Sequence, residues 1–166
     1  MKRFDSGRHM AGVTLIEVMI SVLILGVGML GVAAMQTTAL RNNQSALQRS
    51  QIVMETYTIL DAMRANRAAA MAGGYNTTGM LCNAPNVTDL ISGDQAMWLN
   101  GLKAAISGIP GGAPPAENTT CGTIACAANN GTVQCTITVQ WDDSRAKNAG
   151  GVNGDRAQTL VTVTEL

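Results

Sequence analysis

The hydrophobic pattern of the chain is dominated by an apolar run from Val13 to Met35. Its only charged side chain is Glu17, and its only other polar side chains are Thr14 and Ser21. A helix of this length, at about 1.5 Å per residue, crosses the roughly 30 Å hydrocarbon core of a bilayer. The run therefore predicts a transmembrane helix. A carboxylate in such a helix is costly, so Glu17 is the first candidate functional residue and is expected to have a partner.

Helical periodicity continues beyond this run, and no proline occurs before Pro85. The pattern predicts one helix from about Val13 to Met71 that ends at Gly73-Gly74. Its second half is amphipathic, and we expect its apolar stripe to pack on a globular head. The stripe has members three, four and seven residues apart, at Leu40, Leu47, Val53, Met54, Tyr57, Leu60 and Met63. A coiled coil or receptor stalk is the alternative, but the imperfect heptads favour packing against a sheet.

A second, shorter helix is predicted after a polar, turn-rich loop over residues 73–94. It runs from about Gln95 to Ser107 and ends at Gly108. Ser92 with Gln95 three residues on is typical of a capping box, and Asp94 is a competing cap. The side chains that this helix is expected to present to the core are Trp98, Leu99, Leu102 and Ile106.

Strand signals follow in the last third of the chain. Apolar and polar residues alternate strictly over Thr132–Trp141, which predicts a strand with one buried face. A last strand is predicted at about Gln158–Thr164. Long and short helices followed by strands indicate an α+β fold, with the long N-terminal helix packed on a small antiparallel sheet.

An Asn-Gly pair at residues 130–131 is a strong signal for a two-residue hairpin. If that turn forms, Asn129 pairs with Thr132, and counting outward places Cys126 opposite Cys135. The two are then a non-hydrogen-bonded pair, whose Cα atoms lie about 4.5 Å apart, just within disulfide range. The register therefore predicts a Cys126–Cys135 disulfide.

The remaining cysteines, Cys82 and Cys121, are then left to connect the loop after the long helix to the sheet. Four cysteines permit three pairings, so the cysteine positions alone do not decide between them. All four lie after the apolar run, on the side of the membrane where disulfides are expected if that side is exported.

The charge distribution predicts on which side of the membrane the chain after the apolar run lies. The chain of 166 residues has 11 Lys and Arg and 11 Asp and Glu, so its balance gives no sign of a nucleic-acid surface. Lys2, Arg3 and Arg8 outnumber Asp5 before the apolar run, which predicts a cytoplasmic N-terminal end and an exported remainder. The single histidine, His9, precedes the run, which excludes histidine-based catalysis and most zinc sites from the exported part.

We therefore expect neither an enzyme nor a bound cofactor or metal. One alternative for metal is the loop between the last two strands, where Asp142, Asp143, Asn153 and Asp155 cluster. Their spacing matches no calcium-binding loop, and Arg145 lies among the carboxylates, so a solvated turn is the preferred interpretation.

An ordinary secretory signal peptide is the plainest alternative for the N-terminus. Residues 32–34, Val-Ala-Ala, roughly fit the small-residue rule and would place cleavage after Ala34. The apolar run is longer than the 7–15 residues usual for such a signal. A disposable signal also has no reason to contain Glu17. Both observations argue against this alternative.

Gly12 followed by Val-Thr-Leu-Ile-Glu-Val at residues 13–18 resembles the class III signal of type IV prepilins, in which glycine precedes a hydrophobic residue and Thr-Leu-Ile-Glu. The resemblance implies that a prepilin peptidase cleaves between Gly12 and Val13 and methylates the new amino terminus of Val13. The family usually has phenylalanine at this position. Glu17 matches the glutamate that, in the family, pairs with the amino terminus of a neighbouring subunit during filament assembly.

A weaker resemblance points to one group within that family. A tryptophan-containing helix followed by Ile-Pro-Gly-Gly at residues 109–112, and the sequence Val-Gln-Trp-Asp-Asp-Ser-Arg at residues 139–145, resemble PilV-type minor pilins. This implies a subunit that takes part in type IV pilus assembly or priming, and hence in adhesion or twitching motility. The implied partners are the prepilin peptidase, the major pilin, other minor pilins and the assembly machinery.

The same resemblance implies a domain organisation. Residues 1–12 form a cleaved leader, residues 13–35 a single transmembrane helix half in the inner membrane, and residues 36–166 a periplasmic head that includes the amphipathic helix half over residues 36–72. The mature subunit would then pass into a surface pilus. Two alternatives stay open, namely a minor pseudopilin of a type II secretion system and, from another class, a membrane-anchored periplasmic binding module.

Overall fold

A computed structural model of the chain describes residues 12–108, 118–129, 132–146 and 154–166. The Cα positions fall into two compact units, residues 1–39 and residues 40–166. The elements follow the order of three helices and then three strands, with α1 Leu15–Ala65, α2 Arg67–Met71, α3 Leu90–Ser107, β1 Cys121–Asn129, β2 Thr132–Trp141 and β3 Gln158–Glu165. This α+β layout of a long N-terminal helix and a small antiparallel sheet confirms the predicted fold class.

The long helix is shorter than the sequence predicts. Helix α1 has 51 residues, so it extends for about 77 Å. It begins two residues after Val13 and ends at Ala65, because Asn66 leaves helical geometry at φ −111° and ψ 50°. Asparagine competes for backbone hydrogen bonds and favours such helix ends. The five-residue helix α2 then continues to Met71, and Gly73 adopts a left-handed φ of 77° where the sequence predicts a stop.

The buried face of α1 differs from the predicted stripe. Leu60 and Met63 are buried, as expected, but Leu47 and Met54 are 58 % exposed. The residues of α1 that face the core of residues 40–166 are Ser45, Ile52, Thr56, Ile59, Leu60 and Met63. The prediction was wrong because two stripes overlap in the pattern, and the buried one contains a serine and a threonine. The Thr56 hydroxyl donates to the Ile52 carbonyl at 2.8 Å, which satisfies it inside the helix.

Helix α3 begins five residues earlier than predicted, at Leu90, because its cap is Asp89. The Asp89 carboxylate accepts from the Ser92 backbone N–H at 2.8 Å, and the Asp89 N–H donates to the Ser92 hydroxyl at 3.0 Å. This reciprocal pair is a capping box in which Ser92 is the third residue and not the cap. The predicted end is confirmed at Gly108, and the four predicted core residues Trp98, Leu99, Leu102 and Ile106 are buried.

The three strands form one antiparallel sheet in the order β1-β2-β3. Strand β2 has the predicted bounds, and its alternate residues from Val133 to Trp141 are buried among the apolar side chains of α1 and α3. Strand β1 pairs with β2 so that Asn129 lies opposite Thr132 and Cys126 opposite Cys135, as the counting predicts. The Asn-Gly turn at residues 130–131, and the Ile-Pro-Gly-Gly sequence at residues 109–112, lie outside the described residues.

Both disulfides have the expected pairing, Cys82–Cys121 and Cys126–Cys135. Their Cα–Cα distances are 4.2 and 4.0 Å. The first links the segment before α3 to the start of β1. The second joins β1 to β2 on the inner face of the sheet, where Cys135 is fully buried.

The loop after β2 is attached to α1 through a buried carboxylate. Asp143 is 4 % exposed, accepts a hydrogen bond from the Ser45 hydroxyl at 2.7 Å and lies 3.5 Å from the Arg49 guanidinium. Its backbone N–H donates to the Asp155 carbonyl at 2.9 Å, so the two ends of the loop are held together. A buried carboxylate needs such partners. The hydrogen bond from Ser45 to Asp143 explains why α1 has a serine on its buried face.

Close packing of α3 on β1 generates a prediction about Gly122. A Cβ at this position would overlap the indole ring of Trp98, which is buried. We expect Gly122→Ala to lower the free energy of unfolding by about 1–3 kcal/mol through overpacking. Urea unfolding of the full chain in detergent, followed by tryptophan fluorescence, measures this change.

The matched control is Gly93→Ala in α3. Its Cβ would lie at an ordinary 3.6 Å from the Val87 side chain, and alanine is the better helix former by up to about 1 kcal/mol. The control variant should therefore be as stable as the native chain or more so. Equal behaviour of the two variants would contradict the packing of Trp98 against Gly122.

Candidate processing and assembly site

The peptide bond between Gly12 and Val13 lies outside helical structure. Residues 12–14 precede α1 and are exposed, and the Val13 side chain is 71 % exposed. Exposed, irregular backbone is where proteolytic cleavage is favoured. The predicted cleavage position is therefore accessible in the structure, while the leader over residues 1–11 lies outside the described residues.

Thr14 and Glu17 together begin helix α1. The Glu17 N–H donates to the Thr14 carbonyl at 3.1 Å and approaches the Thr14 hydroxyl at 3.4 Å, and the Val18 N–H donates to the same carbonyl at 3.3 Å. A threonine followed three residues later by glutamate is the sequence signature of a capping box. The sequence analysis missed this second role of the Thr-Leu-Ile-Glu sequence, although the spacing alone was sufficient to find it.

The Glu17 carboxylate lies in the first turn of α1 and is exposed. A negative charge at this position interacts favourably with the positive end of the helix dipole. Among the described residues Glu17 forms no ion pair, since the pairs present are Arg49–Asp143 and Arg64–Asp61. The structure of a single chain therefore does not supply the partner that the sequence analysis expects.

The apolar run itself has no covering within its own unit. From Leu15 to Met35 its large side chains are between 52 and 78 % exposed. Helix α1 is long and apolar enough to cross a membrane by its length and composition. Surface of this kind is not stable in water and requires lipid or other protein around it.

A narrower apolar stripe continues along the second half of α1. Leu40, Leu47 and Met54 are 62, 58 and 58 % exposed and are spaced seven residues apart, and Tyr57 is 55 % exposed on the adjoining turn. We call Leu40, Leu47, Met54 and Tyr57 the outer stripe. At 3.6 residues per turn its heptad members lie on the face opposite Ile52 and Ile59. Heptad spacing is typical of a seam between two helices, and not of packing against a sheet.

Glu55 is a half-buried carboxylate that sequence reasoning did not single out. It lies on α1 against the backbone of Gly101 in α3, and a side chain at residue 101 would collide with it. Among the described residues it has no ion pair or hydrogen bond. Burial raises the pKa of the Glu55 carboxyl above its ordinary value. The burial of Glu55 is evident only from its contact with Gly101 on another helix, and the sequence does not show that contact.

The comparison with known families bears on the N-terminal segment. The family model described as "Prokaryotic N-terminal methylation motif" matches residues 7–33, which include the predicted cleavage position, Glu17 and most of the apolar run. The chain therefore carries a class III prepilin-like signal. Such a motif implies processing by a prepilin peptidase and association with a membrane. No curated protein and no solved structure gives a significant match to the chain.

The structure brings some predicted site residues together and separates others. Gly12, Val13 and Glu17 lie within one segment at the start of α1, whereas the four disulfide cysteines all lie in the unit over residues 40–166. Within the described ranges, no group of three or more His, Cys, Asp or Glu side chains is placed to hold a metal ion. The N-terminal segment offers an exposed peptide bond after Gly12 and the exposed carboxylate of Glu17.

The environment of Glu55 gives a pH prediction. Because its pKa is raised in the folded state, the folded chain is more stable when Glu55 is protonated, and this contribution is lost as the pH rises through the raised pKa. We expect Glu55→Gln to increase the free energy of unfolding at pH 7 by a few tenths of a kcal/mol, a small value because the group is partly solvated.

The difference between variant and native chain should shrink as the pH falls below the ordinary pKa of glutamate, about 4.3. Urea midpoints measured across this pH range test it. Glu165→Gln changes an exposed carboxylate on β3 and is the control, with little change expected at any pH. A lower midpoint for Glu55→Gln at pH 7 would mean that the Glu55 charge is stabilising and would contradict the interpretation.

Proposed function

We propose that the chain is a minor pilin, most similar to the PilV type, that takes part in the assembly or priming of a type IV pilus. The observation that carries the proposal is the prepilin-like signal at residues 7–33 directly before a helix whose apolar surface is uncovered. The proposed role is structural and not enzymatic. Through the pilus it would contribute to adhesion or twitching motility.

The two faces of α1 support a subunit that works in an assembly. The inner face, with Ile52, Ile59 and Leu60, is covered by the sheet and α3. The outer stripe of Leu40, Leu47, Met54 and Tyr57 remains exposed. A chain that functioned alone in the periplasm would gain nothing from an uncovered apolar seam, whereas a filament subunit needs one for helices of neighbouring subunits.

Glu17 is proposed to act in filament assembly. Cleavage after Gly12 would create a positive amino terminus at Val13, at the end of a helix whose dipole is already positive. In an apolar filament core, a buried carboxylate and a buried ammonium group stabilise one another only when they meet. The exposed Glu17 of one subunit and the Val13 amine of the next form such a pair, which is the partner that a single chain lacks.

The remaining organisation follows from this role. We propose that residues 1–12 are removed, that Val13 is methylated, that residues 13–35 anchor the chain in the inner membrane, and that residues 36–166 form the periplasmic head until the subunit enters the pilus. The prepilin peptidase, the major pilin, other minor pilins and the assembly machinery are its proposed partners. Two disulfides in the head are consistent with an oxidising compartment.

A minor pseudopilin of a type II secretion system is the second candidate, because the N-terminal motif is compatible with both. Deleting the gene separates them. Loss of twitching or of surface pili supports the pilus, whereas loss of secreted enzymes from the medium with intact pili supports the secretion system. A membrane-anchored binding module, the candidate from another class, predicts that neither process changes and that the leader stays uncut.

The assembly role of Glu17 is tested by Glu17→Val. We expect this variant to be cleaved and inserted in the membrane, since neither step requires the carboxylate, but to be reduced at least tenfold in sheared filaments. Immunoblots of membrane and filament fractions measure both quantities. Ser21→Ala is the matched control, because Ser21 is an exposed polar residue one helical turn from Glu17 and its hydroxyl donates to the Glu17 carbonyl at 2.7 Å. Normal incorporation of Glu17→Val would show that the charge pair is dispensable.

A further inference from the structure

A pocket lies where the last turn of α3 meets the segment before β1 and the loop after β2. Its volume is about 390 Å³, at the lower end of the range for ligand pockets, about 300–1,000 Å³. The described residues that line it all belong to the unit over residues 40–166. They supply two cations, one carboxylate and three hydroxyl groups, from Lys103, Arg145, Asp142, Ser107, Thr119 and Ser144.

The loop after β2, which forms one wall of this pocket, is fixed to the rest of the unit. The Asp143 carboxylate is buried and accepts from the Ser45 hydroxyl of α1 at 2.7 Å. The Ala146 N–H donates to the Asp143 carbonyl at 3.0 Å and closes a turn over residues 143–146. This wall is therefore held in place before any ligand arrives, which lowers the cost of ordering it on binding.

The charges that line the pocket favour an anionic ligand. Lys103 is only 4 % exposed, although a lysine is rarely buried, whereas Arg145 is exposed. Lys103 already has a partner, but an ammonium group has three donors and can share them with a ligand. Among the described lining residues Asp142 is the one carboxylate, so two cations stand against one anion. An anion is therefore attracted to the pocket.

Two carbonyl groups at the end of α3, beside the pocket, are satisfied without its cations. Lysine and arginine are favoured near a helix C-terminus, because the last carbonyls of a helix lack partners inside it. In α3 the Ala104 carbonyl accepts from the Gly108 N–H. The Ile106 carbonyl accepts from the Gln48 side-chain amide of α1 at 2.9 Å. The cations of the pocket are therefore not needed at these two groups.

Asp142 gives the pocket an acceptor that stays ionised. Its carboxylate accepts from the Ser144 backbone N–H at 2.8 Å. Hydrogen bonds from the side chain and backbone of Ser144, with a weaker attraction from Arg156 and Arg145, lower the pKa of the Asp142 carboxyl below its ordinary value. An ionised carboxylate repels a phosphate or sulfate group in the same small pocket, but it accepts hydrogen bonds from hydroxyl groups. The ligand should therefore combine one carboxylate with hydroxyl donors.

We propose that this pocket binds a sugar acid of the uronic class, with its carboxylate on Lys103 and Arg145 and one of its hydroxyl groups donating to Asp142. Arginine binds carboxylates through paired hydrogen bonds. The serine and threonine hydroxyls of the pocket donate and accept, so they complement the other hydroxyl groups of a sugar. A free amino acid fits less well, because its ammonium group would add a third cation beside Lys103 and Arg145. A free sugar acid and the end residue of an acidic polysaccharide share this chemistry.

Ligand-observed NMR titration of the purified full-length chain in detergent, at neutral pH and low salt, tests the site. The probes are galacturonate, galactose, inorganic phosphate and free alanine. Galactose has a neutral group in place of the carboxylate, and phosphate and alanine lack the sugar hydroxyls. We expect galacturonate to bind about tenfold more tightly than each of the others, because only galacturonate satisfies both the cations and Asp142. Equal or tighter binding of any other probe, or no measurable binding of galacturonate, would overturn the proposal.

Substitutions of the two cations locate the binding. Arg145→Gln changes an exposed side chain, and Lys103→Met keeps the length of a buried one without its charge. Each should weaken galacturonate binding about tenfold and leave galactose binding unchanged, because a charge-assisted hydrogen bond to the carboxylate is lost. Unfolding midpoints and both disulfides show whether each variant folds, and if Lys103→Met does not fold, Arg145→Gln decides the outcome.

The matched control is Arg156→Gln. Arg156 is an exposed arginine between β2 and β3, and it is not among the residues that line the pocket. Its removal should change galacturonate binding less than about twofold, since exposed charges that do not touch a ligand are screened. Equal losses for Arg145→Gln and Arg156→Gln would mean that only net charge matters and would contradict a site at this pocket.

The length of the ligand separates its two possible sources. A galacturonate trimer that binds as tightly as the monomer indicates the end residue of an acidic polysaccharide, and a trimer that does not bind indicates a free sugar acid. Either result supports the site. None of these measurements depends on leader processing, on Glu17 or on pilus assembly, so this proposal and the proposed function can fail separately.

Discussion

The constraint on which the whole structure depends is that α1 must remain one helix while its surroundings change along its length. Its first part is apolar on all sides and uncovered, and its second part is covered on one side only. At about 25 cal/mol per Å² of apolar surface exposed to water, the uncovered first part alone is incompatible with an aqueous environment. The sheet and α3 stabilise only the part of the helix that they contact, so the rest requires lipid or other protein around it.

The sheet and α3 pack on that one face of α1. The inner face of β2 and the apolar side of α3 close over Ile52, Ile59 and Leu60, and Gly122 allows the ring of Trp98 to pack directly on the β1 backbone. The Cys82–Cys121 disulfide and the contact of Asp143 with Ser45 attach the loops to this framework, and the Cys126–Cys135 disulfide joins two of its strands. A small core is thereby reinforced at the places where loops leave it.

Much of this was predictable from the sequence, and the failures have identifiable causes. Strict alternation defined β2 within its bounds, and the Asn-Gly pair set the register that joins Cys126 to Cys135. The outer stripe was assigned to the core because periodicity reports that a helix has an apolar face but not what covers it. The start of α3 was misplaced because Asp89 and Ser92 exchange the usual order of capping residues. The burial of Glu55 depends on a contact with Gly101 on another helix, which local sequence patterns do not show.

The central claim is that Gly12–Glu17 is a processing and assembly signal and not the start of a permanent anchor or an ordinary signal peptide. The most direct test is the intact mass of the chain extracted from membranes. Cleavage after Gly12 predicts a chain that begins at Val13 and is heavier by one methyl group. A chain that begins at Met1 would contradict the account, because the leader would then be uncut. A chain that begins at Met35 would contradict it equally, because the apolar run and Glu17 would have been discarded.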